Sequence, residues 1–275
     1  MKHNFLMLLF IIICLSSCTT YRYIYSASAP NEPYFTKKGE SKLTGYYSSG
    51  KSGDFTNKYA RGYDLQAAYA FADHWAATAS YFSRNEKDVY PDDRYNLFDS
   101  SIIKYKRNLP GIGAGYFVSL NDKRTVTFNL YGGIAKGKFS FRDDGLNGGT
   151  NYSRFYNSQI TKWYFQPAFN FMPSQLFRFS IVVTASYVNY SHIKTSYTKN
   201  ELQYFSLDKI ANKTLPFLEP SLNLQVGLRQ YPWIKLDATV SGASQNFPGD
   251  YRLAVRSSNA SIGLTFDFSK IKKSN

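Results

Sequence analysis

From residue 41 onward, apolar and polar side chains alternate with a period of two, and this pattern limits the fold more than any other feature of the chain. In the segment 234–245, Ile234, Leu236, Ala238, Val240 and Gly242 share one face while Lys235, Asp237, Thr239 and Ser241 share the other. Successive side chains on a strand point to opposite faces, so one face is apolar and the other polar; a helix would scatter both sets around its axis. The same arrangement sets Val126, Phe128 and Leu130 against Thr125, Thr127 and Asn129, and Leu222, Leu224, Val226 and Leu228 against Ser221, Asn223 and Gln225. It also sets Ile262, Leu264, Phe266 and Phe268 against Ser261, Gly263, Thr265 and Asp267. Ten strands are expected: 41–48, 61–71, 75–84, 108–119, 125–137, 157–171, 177–190, 216–228, 234–245 and 252–268.

The connections between these segments alternate in length. Those at 72–74, 120–124, 172–176 and 229–233 are tight, whereas 49–60, 85–107, 142–156 and 191–215 are long; the short link 246–251 is the exception. Short turns at one end and longer loops at the other are the habit of outer-membrane barrels, so the expected fold is a ten-stranded antiparallel up-and-down transmembrane β-barrel over 41–268. Trp75, Tyr231 and Trp233 fall at tight turns, with Phe71 nearby, where a periplasmic aromatic girdle would lie. Trp163 falls at the height of the opposite girdle. A soluble lipocalin-like barrel or β-sandwich shows the same alternation with its apolar face turned inward, and alternation alone leaves that reading open.

Composition fits a barrel better than a helical membrane protein. The chain has 24 Tyr and 22 Phe, yet its mean hydropathy is −0.38 and no segment after Cys18 reaches the roughly 20 apolar residues of a spanning helix. A barrel reconciles these facts because only alternate residues meet lipid. The net charge of +14 is dispersed, and the segment 85–107 holds five basic and five acidic residues. That distribution suits an anionic lipid surface and gives no nucleic-acid footprint.

The first eighteen residues read as an export signal. Lys2 and His3 precede an almost unbroken apolar run, Phe5 to Leu15, and Leu15-Ser16-Ser17-Cys18 resembles the bacterial lipobox. The expected division is a lipoprotein signal peptide at 1–17, a lipid-anchored periplasmic linker at 18–40 with Pro30 and Pro33, the barrel, and a basic tail at 269–275. Cys18 would carry diacylglycerol and palmitate and is expected to be the only cysteine left after cleavage, so no intramolecular disulfide is expected; the N-terminus is expected in the periplasm.

The segment Ala29-Pro30-Asn31-Glu32-Pro33-Tyr34-Phe35-Thr36-Lys37-Lys38-Gly39-Glu40, with Asp64-Leu65-Gln66-Ala67-Ala68-Tyr69-Ala70-Phe71-Ala72-Asp73-His74-Trp75, resembles the uncharacterised outer-membrane β-barrel lipoproteins of the Bacteroidota. The resemblance implies a Gram-negative host and an outer-membrane location, and brings no catalytic residues.

Chemistry is sparse in the sequence. His74 reads as a turn residue; His192, beside Ser191, offers the only rim Ser/His pair, without an orienting carboxylate close in the chain. Neither paired His, nor a Cys cluster, nor a phosphate-binding glycine loop is present, so no metal or other cofactor is expected. Gly111, Gly113 and Gly115 read as a close-packed strand facing the interior. Asp64, Lys162, Arg178, Glu219, Lys235, Asp237 and Asp267 all fall on faces assigned inward, where enclosed charges should pair as a plug. The expected function is structural or surface-interacting, with outer-membrane lipid, the barrel-assembly and lipoprotein-sorting machinery, and a glycan or protein ligand as partners. That ligand would meet loops rich in Tyr and Asn: Tyr90, Tyr95, Asn147, Tyr152, Tyr156, Tyr197 and Tyr204. A narrow pore, a rim-site lipid-modifying hydrolase and a soluble binding barrel are the alternatives.

Overall fold

The computed structural model describes residues 22–50, 59–90, 100–174, 176–245 and 253–269. The signal segment, Cys18, Tyr95, the link 246–251 and the tail beyond Ser269 lie outside the described residues.

Ten antiparallel strands close into a barrel. They are β2 (Ser41–Gly50), β3 (Tyr59–Ala70), β4 (Trp75–Tyr90), β5 (Ser100–Ser119), β6 (Val126–Asn147), β7 (Thr150–Phe171), β8 (Phe177–Thr195), β9 (Thr214–Gly227), β10 (Ile234–Gly242) and β12 (Ser258–Asp267). Each pairs with its neighbour in this order, and β12 seals the ring against β2 through pairs such as Thr265 with Thr44. A path across the ladders that leaves β8 at Phe179 and passes through Tyr47 and Lys138 returns to β8 at Ser191, twelve residues further on. Such an offset requires tilted strands, about 40° from the barrel axis.

The two faces of the wall have the polarity of a membrane barrel. Leu222, Val240, Ile262 and Ile112 are exposed on the outside, while their chain neighbours Asn223, Thr239 and Ser261 are buried inside. A soluble lipocalin-like barrel needs the opposite arrangement, so that alternative fails. The outer apolar belt is edged by exposed aromatics, with Phe71, Trp75, Phe177 and Tyr231 near the tight turns and Tyr63, Tyr81, Trp163 and Tyr187 higher up.

Above the upper edge the polarity of both faces reverses. On β6, Phe128, Leu130 and Ile134 point outward, but beyond Gly137 the outward residues are Lys138, Ser140 and Arg142, and Phe139 and Phe141 are buried inside. β6 and β7 have 22 residues each, about twice what a tilted strand needs to cross a bilayer. The upper half of the barrel therefore stands outside the membrane, with an aromatic core of its own that includes Phe139, Phe141, Tyr156 and Phe205.

Four expectations are corrected. Of the loop expected at 85–107, residues 85–90 and 100–107 are strand, because β4 runs on to Tyr90 and β5 already starts at Ser100. The loop expected at 142–156 is strand on both sides of a two-residue turn, in which Gly148 (φ +57°) and Gly149 (φ +75°) supply the left-handed backbone that such hairpins require. The strand expected at 252–268 is broken: β11 (Leu253–Arg256) turns into the lumen and pairs in parallel with β1 (Arg22–Ser26). Most consequential, the segment expected as a periplasmic linker fills the barrel.

That segment descends from the long-loop end to the tight-turn end. Arg22 meets Asp143 near the top of β6, Tyr25 meets Glu219 on β9, Asn31 meets the carbonyls of Ala67 and Ala79, and Phe35 packs on Phe117 near the bottom of β5. Gly39 then donates to the Ala70 carbonyl and the chain turns into β2. The described chain therefore starts at the long-loop end and enters β2 at the tight-turn end. Pro30 and Pro33 keep the segment extended, and its own carbonyls find donors on the wall. Gln66 Nε2 donates to Ala29 O (2.8 Å), Gln166 Nε2 to Asn31 O (3.0 Å), Arg107 Nη2 to Tyr23 O (2.9 Å) and Tyr190 Oη to Ile24 O (2.8 Å). An extended chain needs such partners when buried, and these wall side chains supply them.

Candidate functional site

The lumen and its external cap hold nearly all the buried charge, and they form in three tiers. In the lowest tier, Asp237 accepts from Asn223 Nδ2 (2.5 Å), Gln225 Nε2 (2.5 Å) and Thr265 Oγ1 (3.0 Å), and Lys235 Nζ stands 3.6 Å from Asp267. Tyr34 of the plug places its hydroxyl 3.0 Å from Asn223 Oδ1 and 3.1 Å from Ser180 Oγ. Arg178 lies 5.4 Å from the Tyr34 ring. Slightly higher, Glu32 of the plug accepts from Asn129, Asn170 and Gln166 on β6 and β7.

In the middle tier, Lys162 pairs with Glu219 (2.8 Å), which also accepts from Tyr25 and Ser186, while Asp64 sits 3.5 Å from Arg84 and accepts from Ser48. Glu86 is held between Arg107 (2.9 Å) and Arg256 (2.7 Å), and Arg256 reaches on to Asp88 (2.9 Å). β11 thus enters the lumen with a guanidinium that closes a buried four-residue network.

The top tier centres on Asp143. It accepts from Arg22 Nη2 (2.5 Å), Ser101 Oγ (2.8 Å), Tyr152 Oη (3.2 Å) and Tyr197 Oη (2.7 Å). Tyr197 comes from the loop after β8, which carries the short helix α1 (Lys199–Tyr204) and a single 3-10 turn, Leu207–Lys209. The guanidinium of Arg22 lies 3.9 Å from the Phe205 ring. Burial opposes the charge on Arg22, but Asp143 and the phenol oxygens of Tyr197 and Tyr105 outweigh it, and the group is held above its ordinary range. Burial pushes the Tyr197 phenol well above its ordinary value, so it stays a donor.

Among the described residues the lumen holds small cavities. A cavity of about 50 Å³ beside plug residues 28–31 is lined by Asp64, Gln66, Lys162 and Glu219 among others, and two pockets of about 10 Å³ flank the plug lower and higher. Spaces of this size hold roughly a few waters between polar walls.

No protein-family model matches this chain, and no curated protein sequence does. Solved structures similar to it include Ail of Yersinia pestis, 16% identical, covering 84% of this chain and 99% of that chain with a TM-score of 0.30. OprG of Pseudomonas aeruginosa is 15% identical, covering 86% of this chain and 99% of that one at a TM-score of 0.37. The translocator domain of the autotransporter NalP of Neisseria meningitidis is 10% identical, covering 83% and 88% at a TM-score of 0.46. The likeness is one of general architecture, and nothing about this chain's role rests on it.

The seven charges assigned inward from the sequence, Asp64, Lys162, Arg178, Glu219, Lys235, Asp237 and Asp267, are all buried, but they do not form one network. Lys162 with Glu219 and Lys235 with Asp267 pair; Asp64 takes Arg84; Asp237 is held by neutral donors. The sequence reading missed Arg22, Glu32, Arg84, Glu86, Asp88, Arg107, Asp143 and Arg256. Three of these, Arg84, Glu86 and Asp88, alternate along β4 and carried a period-two signal beyond the expected strand end at residue 84. Trp75, Trp163 and Tyr231 are exposed on the outer face; Trp233 is half-buried against Phe266.

The Tyr-rich loops are largely not displayed. Tyr156 and Tyr197 are buried, and Tyr90, Tyr152 and Tyr204 pack partly against the upper core; Asn147 is exposed. Their phenyl rings are apolar bodies that fill a core, which outweighs the polar tip that suggested a ligand. His192 (φ +52°) is exposed with Nδ1 3.2 Å from Ser191 Oγ, and among the described residues no carboxylate contacts it. His74 Nδ1 lies 3.1 Å from the Phe117 carbonyl, in a turn. Gly113 faces inward, where a Cβ would lie 2.5 Å from Tyr164 Oη; its absence admits that phenol into the lumen.

Proposed function

We propose that the protein is an outer-membrane β-barrel with a filled lumen, whose role is structural or surface-interacting rather than conductive. The observation that carries this reading is the course of residues 22–40, which run through the barrel from end to end, with the carbonyls of Tyr23, Ile24, Ala29 and Asn31 bonded to wall side chains. The lumen left over accommodates a few waters, not a hydrated ion path. In planar bilayers the purified protein is expected to give no conductance above the protein-free background. Stable, ohmic steps from the wild type would favour the narrow-pore alternative. A glycan or protein ligand would meet the projecting hairpin at 147–150 and the exposed face of α1.

The same reading includes lipidation of Cys18, supported by the lipobox-like Leu15-Ser16-Ser17-Cys18, with passage through the lipoprotein-sorting and barrel-assembly machinery. Arg22, four residues later, lies at the long-loop end, so the anchor is assigned to the cell-surface side and not to the periplasm. Cys18→Ser should abolish palmitate incorporation, and an epitope inserted after Thr20 should be readable on intact cells. Labelling without surface access would leave lipidation standing and return the anchor to the periplasmic side.

A further inference from the structure

Among the described residues on the outer face of β4, β5 and β6, above the apolar belt, cations outnumber anions six to one. Lys87, Lys104, Lys106, Lys136, Lys138 and Arg142 all lie on the outward set of alternate residues. On the same strands Glu86, Asp88 and Asp143 are buried inside, and the acidic residue on the outer side, Asp144, is paired with Arg142 at 2.9 Å. The register sharpens the excess: Lys87 is directly opposite Lys104, and Lys104 directly opposite Arg142, so three cations meet across adjacent strands. Like charges in facing positions destabilise a sheet, and the one described anion among these cations, Asp144, is taken by Arg142 and also acts on Lys104, so a further anion would relieve the rest.

The height of the patch names that anion. Ile134 pairs with Ile112 on one side and with Trp163 on the other, and all three are exposed in the upper part of the apolar belt. At roughly 3.3 Å per residue and about 40° of tilt, Lys136 stands about 5 Å above Ile134, Lys138 about 10 Å above it, and Lys106 about 15 Å above Ile112. That is where lipid headgroups begin, on the side of the long loops. We propose that this patch is a binding site for the phosphorylated headgroups of the outer leaflet, with the lysines acting as point charges on phosphate oxygens. The proposal rests on the membrane reading above.

The test uses the full chain reconstituted in phosphatidylcholine nanodiscs, with or without a minor fraction of diphosphoryl lipid A, followed by gentle extraction and native mass spectrometry. The wild type should retain diphosphoryl lipid A in preference to phosphatidylcholine. The variant Lys104→Gln, Lys106→Gln, Lys136→Gln, Lys138→Gln should bind it at least tenfold more weakly. A control with two changes at the tight-turn end, Lys123→Gln and Arg229→Gln, should match the wild type. Millimolar inorganic phosphate should not displace the lipid, because it lacks the acyl chains that hold the headgroup at this height; displacement would convert the site to one for free phosphate and overturn the proposal. Equal retention by the quadruple variant would also overturn it. If that variant does not fold, as judged by its heat-modifiable migration, loss of the lipid from the wild type at 1 M salt decides instead. A wild type that enters nanodiscs but shows no preference sinks this inference alone, whereas one that never enters them sinks the membrane reading as well.

Discussion

Arg22 and Asp143, 121 residues apart in the chain and both fully buried, are joined at 2.5 Å at the external end of the barrel. The pair ties the top of the plug to β6, and through Tyr197 to the loop after β8. Asp143 thus joins three parts of the chain at the long-loop end.

Removing that carboxylate should be costly. Asp143→Asn leaves the guanidinium of Arg22 buried without its counter-charge, and breaking such a pair from one side typically costs about 3–5 kcal/mol. The double change Arg22→Met, Asp143→Leu should recover part of the loss, since it removes both charges together. Limited proteolysis in the 196–213 loop and urea unfolding from bilayers would read the two effects. A single variant as resistant as the wild type would show that the ion pair does not hold the cap.

The hairpin between β6 and β7 gives a smaller, local prediction. Gly148 and Gly149 both have positive φ, where an L side chain meets the following carbonyl at a cost of roughly 1–2 kcal/mol per residue. Gly149→Ala should fray the hairpin tip, with faster amide exchange at 144–153, while heat-modifiable migration stays intact. Nothing lies within 4 Å of the added methyl at either glycine, so backbone strain alone is being measured. Unchanged exchange would mean the turn is not held in this form.

The membrane half of the wall was legible in the sequence, and the reason lies in the residues themselves. Val240 beside Thr239 and Leu264 beside Thr265 alternate without interruption because one face meets a belt of hydrocarbon and the other a polar lumen. The upper half was not legible because the alternation reverses phase near Gly137: Ile134 points outward and Phe139 inward, five residues apart. A reading that follows one apolar face ends the strand at 137, where the surroundings change from lipid to water. The plug was missed for another reason. Residues 22–40 lack a period because successive residues contact different strands around the barrel, so Pro30 and Pro33 suggested a free linker where they describe an extended chain held by side chains far away in sequence.

The face assignment can be tested directly at adjacent residues on β10. Val240 is 59% exposed on the outer belt, and Thr239 is 2% exposed with Oγ1 2.7 Å from Asn223 Nδ2. Val240→Arg should cost about 2–4 kcal/mol, as a cation does near the bilayer midplane on the lipid face. With the smaller probe, Val240→Asp should lower folding yield into bilayers more than Thr239→Asp, which faces amide and hydroxyl donors. If Thr239→Asp proves the more damaging of the two, the apolar face does not meet lipid.

The last prediction asks whether the plug is held by packing and hydrogen bonds or only by its connection to β2. Tyr34 is the test residue because it is buried, its hydroxyl lies within hydrogen-bonding distance of Ser180 and Asn223, and Lys42 Nζ donates to its carbonyl at 2.5 Å. Tyr34→Phe removes the hydroxyl alone and should cost about 1–3 kcal/mol, since Ser180 and Asn223 lose a partner in a dry site. Tyr34→Ala also deletes the ring between β8 and the plug; by the scale of buried aromatic truncations it should cost about 3–5 kcal/mol. The vacated volume borders the polar side chains of the lowest tier, so water should enter it. The Ala variant, but not the Phe variant, is therefore expected to show flickering, small conductance in planar bilayers, where the wild type shows none. If Tyr34→Ala is as silent and as stable as the wild type, the lower plug contributes neither closure nor stability, and the seal must be assigned to the upper tiers around Glu86 and Asp143.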